Sequence, residues 1–283
     1  MKSTAIFKII VWSLVSVFFI VFFITIAVTD GFAGGKLFSI NLPQVGGDVE
    51  LVREQEFSVD EIDGLDLKGS SESIYIYPTD GDDIIVSEKA SYDISEKELL
   101  QISKRDGTLV LEQGDSLRSF FIFNFGRRIV NEIGIPEKEY KEIKTKMSSG
   151  KLEIKDIQAK TVDTKMTSGR MNLSGLIADI VSFDMSSGKG DISGSINDIN
   201  AEMTSGLLNI ETDIAPANLA VDITSGKCTV TIPDNDGFIV GINKTSGAFN
   251  TDFEVDEFNR YGNGERQYNI KMTSGLVELL KKR

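Results

Sequence analysis

A three-residue phrase, Ser or Thr followed by Ser-Gly, recurs seven times in the second half of the chain. It stands at Ser148-Ser149-Gly150, Thr167-Ser168-Gly169, Ser186-Ser187-Gly188, Thr204-Ser205-Gly206, Thr224-Ser225-Gly226, Thr245-Ser246-Gly247 and Thr273-Ser274-Gly275. Successive glycines lie 19, 19, 18, 20, 21 and 28 residues apart. A period near twenty without helical spacing describes units that stack on one another rather than fold alone.

The residues around each glycine say what the unit is. Seven before it stand Ile143, Val162, Val181, Ile199, Leu219, Val240 and Tyr268. Three before it stand Met147, Met166, Met185, Met203, Ile223, Lys244 and Met272. Two after it come Leu152, Met171, Gly190, Leu208, Cys228, Phe249 and Val277, and four after it Ile154, Leu173, Ile192, Ile210, Val230, Thr251 and Leu279. On each side of the glycine the apolar positions are two apart, which is strand spacing. Crossing the glycine shifts the phase by one, as a corner does.

These columns predict an all-β chain: a single-stranded β-solenoid of about 19–20 residues per coil over residues 143–283. Each coil reads as strand, Ser-Gly corner, strand and polar turn, with equivalent positions about 4.8 Å apart along the stack. The seven glycines are the structural corners. The first hydroxyl of each phrase is expected to face out, and the second to face in or cap the corner. The Met column reads as core, with an adaptable binding surface as its alternative. Lys244 breaks that column, which places it near the end of the stack or snorkelling outward.

The chain carries 30 basic and 43 acidic residues, a formal charge of −13. Nucleic-acid binding needs a basic footprint, and the balance here is the reverse. There is one cysteine, Cys228, and no histidine. An intramolecular disulfide is thus excluded, and Cys228, on an inward column, reads as structural rather than nucleophilic.

Ahead of the repeats the chain changes character. From Ile9 to Val28 there are 20 uncharged, mostly apolar residues, enough to span a bilayer. Lys2 and Lys8 precede the run and Asp30 follows it. The expectation is a transmembrane signal anchor over 9–28, a short cytoplasmic stretch over 1–8, and everything after it outside the membrane. A cleaved signal peptide is the alternative. Residues 29–56, with five glycines and Pro43, read as a tether, and folding is expected from Phe57. Residues 57–142 form an N-terminal β region or cap. Its strands fall at 57–67, 73–78 and 83–93, with a hairpin of Leu99–Ser103 and Thr108–Glu112 around Lys104-Arg105-Asp106-Gly107. Gly69-Ser70-Ser71 is a partial echo of the corner phrase. Gly262-Asn263-Gly264 marks a hairpin tip, and Lys281-Lys282-Arg283 is expected to close the final coil as a charged edge.

One insertion, residues 117–130, interrupts the polar background. Phe120, Phe121, Phe123 and Phe125 stand between Arg118 and the pair Arg127 and Arg128. Two readings stand: contact with a membrane or an amphipathic ligand, or a hairpin covering the open end of the solenoid.

The strands, the variable hydrophobic insertion, and Ile133-Gly134-Ile135-Pro136 entering the Ser-Gly coils together resemble the putative adhesin family of bacterial envelope proteins (LiaG-like) over residues 57–283. That resemblance implies a membrane-anchored, extracytoplasmic adhesin-like binding or scaffolding module of the bacterial cell envelope, with a link to envelope stress. Partners on this reading are the membrane, a cell-wall polymer, a cationic peptide or another envelope protein. No catalytic residue, cofactor or metal site is expected. One alternative is a carbohydrate-active enzyme on wall polymers, using carboxylates such as Asp156, Asp163, Asp179, Asp184, Asp191 and Asp198. The other is a self-assembling scaffold.

Overall fold

In a computed structural model, residues 48–114 and 127–283 are described. The expected anchor at 9–28 and the four insertion phenylalanines lie outside the described residues. Among the described residues no helix is long and apolar enough to cross a membrane.

The strands of the described residues join into one hydrogen-bonded sheet that curls into a β-solenoid-like stack. They are β1 (Glu50–Ser58), β2 (Gly64–Gly69), β3 (Ser73–Thr79), β4 (Asp83–Ala90), β5 (Gln101–Arg105), β6 (Thr108–Glu112), β7 (Ile129–Pro136), β8 (Glu139–Met147) and β9 (Lys151–Lys155). Then come β10 (Gln158–Thr212), β11 (Asn218–Ile223), β12 (Lys227–Ile232), β13 (Gly237–Lys244), β14 (Ala248–Thr251), β15 (Arg260–Gly262), β16 (Arg266–Met272) and β17 (Leu276–Lys281). β10 is one long ribbon that passes through successive Ser-Gly corners without losing its ladder.

The repeat columns are the core. Val162 pairs in parallel with Ile143, Met171 with Leu152, Leu219 with Ile199 and Cys228 with Leu208. The inward columns are buried almost throughout, including Met147, Met166, Met185, Met203 and Met272. The Met column is therefore core and not a binding surface. Cys228 is fully buried, and burial pushes its thiol up to about 12.

One coil exchanges large for small. Phe183 is buried where the neighbouring coils carry Thr164 and Ala201. Its ring tip fills the place where a side chain on Gly190 would begin. Gly190 is thus required by space, not by backbone conformation: a lateral shift of bulk within one layer keeps the density constant.

The ends depart from chain order. At the C-terminal end, β11 and β12 pair with β16 and β17, and these pair in turn with β13 and β14. The last coil in sequence is therefore inserted, and the coil before it is outermost. This corrects the expectation for Lys281-Lys282-Arg283 as the closing edge. Lys281 pairs with Asp234 at 2.8 Å and lies over the rings of Phe253 and Tyr261, while Lys282 pairs with Glu211 and Asp213, both at 3.0 Å. Lys244 lies on the outermost strand and is exposed, as a position beside the missing next coil must be. β15 turns back antiparallel on β13. Phe238 stacks on Tyr268 with centroids 4.7 Å apart, and Phe253 and Tyr261 close over it edge-on or tilted.

The N-terminal end uses the same device. The coil β2–β3 lies between β6–β7 and β8–β9, although β6–β7 comes later in sequence. Beyond it, β5 pairs antiparallel with β6, β4 with β7, and β1 with β4. Residues 57–142 are thus both coils and cap. The hairpin at Asp106-Gly107 forms as expected, with φ of 48° and 77°. Folding starts earlier than Phe57, because β1 already begins at Glu50, and the expected strand 57–67 is broken by a 3-10 turn at Val59–Glu61. Arg53 pins this cap: it donates from Nε to Glu88 at 2.5 Å and from Nη2 to the Leu100 carbonyl at 2.5 Å, while Leu100 N–H donates to Glu88 at 2.6 Å.

Ser70-Ser71-Glu72 occupies the corner slot of the β2–β3 coil. Ser149 N–H bonds to the Ser70 carbonyl and Lys151 N–H to that of Glu72, the pattern of one Ser-Gly corner on the next. Glu72 stands in the glycine position and Gly69 in that of Met147. The Glu72 carboxylate folds into the space the missing Met leaves and accepts from Ser70 and Ser71 N–H at 2.8–3.0 Å. Burial raises its pKa, and the backbone donors oppose that shift.

Candidate functional site

Each corner glycine sits where the sequence places it. Gly150, Gly169, Gly188, Gly206, Gly226, Gly247 and Gly275 have φ between 98° and 133°. A Cβ on any of the last six would overlap the carbonyl oxygen of a neighbouring corner glycine. The order of these contacts puts Gly275 between Gly226 and Gly247, in agreement with the inserted coil. The first hydroxyl of each phrase is exposed, as expected. The second is also exposed at Ser168, Ser187, Ser205, Ser225, Ser246 and Ser274, so it does not turn inward. Only Ser149 is half-buried, and its hydroxyl donates to the Ser70 carbonyl at 3.3 Å. The corner row is a wet hydroxyl ridge along the stack.

The aromatic insertion falls between two strands of the N-terminal region. It connects β6 to β7, where other coils carry the Ser-Gly corner. Its described roots are tied to the cap: Gln113 N–H donates to the Lys68 carbonyl at 2.8 Å, and Gln113 Nε2 reaches the Glu98 carbonyl. At the other root, Arg128 N–H donates to the Ser91 hydroxyl and Ser91 N–H to the Arg128 carbonyl, both at 3.0 Å. Arg127 lies over the Tyr92 ring, 4.6 Å from its centroid. Burial, with Glu98 nearby, pushes the Tyr92 hydroxyl up.

Sequence reasoning did not anticipate what lies beside these roots. Glu50 pairs with Ala90, and Ala90 with Ile129. The start of β1, the turn after β4 and the C-terminal root of the insertion therefore share one corner of the end cap. A shallow groove of about 460 Å³ opens there, lined by Leu51, Val52, Ser91, Tyr92, Asp93 and Ile94 among others. Leu51 is 56% exposed and Val52 42%. Asp48, Glu50 and Asp93 stand at the same groove. These carboxylates oppose Arg127 and Arg128, so the corner presents apolar surface with a mixed rim rather than a cationic face.

The carboxylates considered for glycoside cleavage are not gathered. Asp191 pairs with Lys189 at 2.9 Å and accepts from Asn209 at 2.8 Å. Asp198 accepts from Asn218 at 2.7 Å, Asp184 lies 3.9 Å from Lys165, and Asp156 holds a turn at φ 53°. Among the described residues no group of His, Cys, Asp or Glu is placed to hold a metal ion.

Residues 62–196 match the family model of Toastrack DUF4097. Among solved structures, the chain is similar to a putative cell adhesion protein from Clostridium sporogenes at 18% identity. That likeness covers 83% of this chain and 100% of that one, with a TM-score of 0.46. It is also similar to a putative adhesin from Bacteroides fragilis at 15% identity, covering 81% and 97%, with a TM-score of 0.42. No curated protein matches the chain.

Proposed function

We propose that the protein is a membrane-anchored, extracytoplasmic binding or scaffolding module of the bacterial cell envelope, adhesin-like in class, with its N-terminal end cap against the membrane. The observation that carries this reading is the shared corner of the cap. The chain enters β1 there, the aromatic insertion is rooted there, and Leu51 and Val52 lie exposed beside it. A link to envelope stress follows from the family resemblance and belongs to the same proposal. The contact residues on this reading are Phe120, Phe121, Phe123 and Phe125, with Arg127 and Arg128 at the rim.

The groove's composition sets how the contact works. Three carboxylates offset two arginines, so apolar burial has to supply the attraction, at about 25 cal/mol per Å². A chain beginning at residue 31 retains every described strand and suits the test. It is expected to co-sediment with neutral and anionic liposomes alike, with little sensitivity to salt. Leu51→Ser with Val52→Ser, and Phe121→Ser with Phe123→Ser, are each expected to lower the bound fraction several-fold while the melting temperature stays within a few degrees. Sedimentation with neither liposome would remove the membrane-contact reading. Strongly salt-dependent binding confined to anionic vesicles would replace apolar contact by an electrostatic one.

A further inference from the structure

Two rows of basic side chains flank the hydroxyl ridge over its first coils. On the approach side, Lys68 of β2, Lys146 of β8 and Lys165 of β10 are direct register partners on adjacent parallel strands. On the departure side, Arg170 pairs in register with Lys151, and Lys189 follows Gly188, which stacks on Gly169. Like charges directly opposite on neighbouring strands are destabilising, and here they recur on consecutive coils of a chain whose formal charge is −13. Compensation is partial. Glu112 pairs with Lys68, Glu153 with Lys151 at 2.7 Å and Asp191 with Lys189 at 2.9 Å, whereas Lys165 lies 3.9 Å from Asp184. Lys146 and Arg170, both exposed, have no ion partner among the described residues. Further along, the approach column changes sign to Asp184, Glu202 and Asp222. The basic rows are therefore a local feature and not a property of the repeat.

We infer that this stretch of the ridge is a binding surface for a linear phosphate polymer lying along the stack axis. Cationic heads recur about every 4.8 Å along each row. The exposed hydroxyls of Ser148, Thr167 and Ser186 stand between the rows as neutral donors. Arg170 brings a planar fork of donors that suits phosphate oxygens. At physiological salt, screening over about 8 Å lets the patch act locally despite the acidic remainder. The acidic flanks repel a wide polyanion such as a nucleic-acid duplex and admit a narrow chain. Lys68 stands beside the root of the insertion, whereas Lys146 and Arg170 lie one and two coils further along the stack, and the inference does not depend on the membrane reading.

The test uses the full chain in neutral detergent, titrated with long-chain inorganic polyphosphate at several salt concentrations. Wild type is expected to bind, with affinity falling as salt rises. Lys146→Gln with Arg170→Gln is expected to weaken binding at least about tenfold and to reduce the salt slope by about one to two. Lys227→Gln with Lys271→Gln removes the same charge from a distant part of the stack and is expected to leave affinity within about twofold. Absence of wild-type binding, or equal losses in the two double variants, would overturn the inference. So would equal affinity for orthophosphate, which cannot span the coils, or for polygalacturonate, a carboxylate chain without phosphate.

Discussion

Gly188→Ala is expected to cost about 3–5 kcal/mol, backbone strain and a steric overlap acting together. A left-handed or extended-positive φ costs a non-glycine residue about 1–3 kcal/mol, and Gly188 has φ 133°. The new methyl would also overlap the carbonyl oxygen of Gly169. That atom belongs to the backbone of the next corner and cannot swing aside, so the stack itself must open. For a chain of this size each kcal/mol moves the melting temperature by about 2–4 °C, giving a fall of about 6–20 °C. The neighbouring Ser187→Ala removes an exposed hydroxyl and is expected to stay within about 0.5 kcal/mol. Thermal melts of the two variants side by side check the corner. A shift of only a degree or two for Gly188→Ala would mean that the corners do not stack as described.

The second large effect lies in the layer of Phe183. Phe183→Ala is expected to cost about 3–5 kcal/mol, because a buried ring is removed and the cavity cannot fully collapse. Gly190→Leu alone is expected to destabilise as well, since its side chain would begin where the Phe183 ring tip lies. Together the two changes give this coil the same pair of residues that the next one carries at Ala201 and Leu208. The double variant is expected to be more stable than Phe183→Ala alone, with a coupling of about 1–3 kcal/mol between the sites. Chemical denaturation of the three variants measures that coupling. Additive losses would show that Phe183 and Gly190 do not share one space.

Most of the stack was legible because a solenoid writes its geometry into fixed columns. The corner glycines, the inward Met, Val and Leu positions and the hairpin at Asp106-Gly107 all follow from local spacing. The order of the end coils was not legible, for a physical reason. A parallel ladder asks only that inward residues face inward, so the coil ending at Lys281 fits equally well inside or outside the coil ending at Thr251. The choice is made by the aromatic closure of Phe238, Phe253 and Tyr261, which no repeat pattern contains. Glu72 in a glycine slot was hidden for a similar reason. Its carboxylate replaces a missing methionine, and the only sequence trace is Gly69 ahead of Ser70-Ser71. The cap groove was invisible because it joins residues near 50, 91 and 128, which no short-range pattern connects.

The central claim is that the N-terminal cap faces the membrane, and depth-dependent quenching tests it most directly. Cys228 is buried with its thiol pushed up to about 12, so it can stay in place while single cysteines are labelled elsewhere. A fluorophore at Val52→Cys reports on the cap, and one at Asn250→Cys on the opposite end of the stack. In liposomes carrying the full chain and a lipid-phase quencher, the account predicts strong quenching at position 52 and little at position 250. Equal quenching at both positions, or stronger quenching at 250, would contradict it.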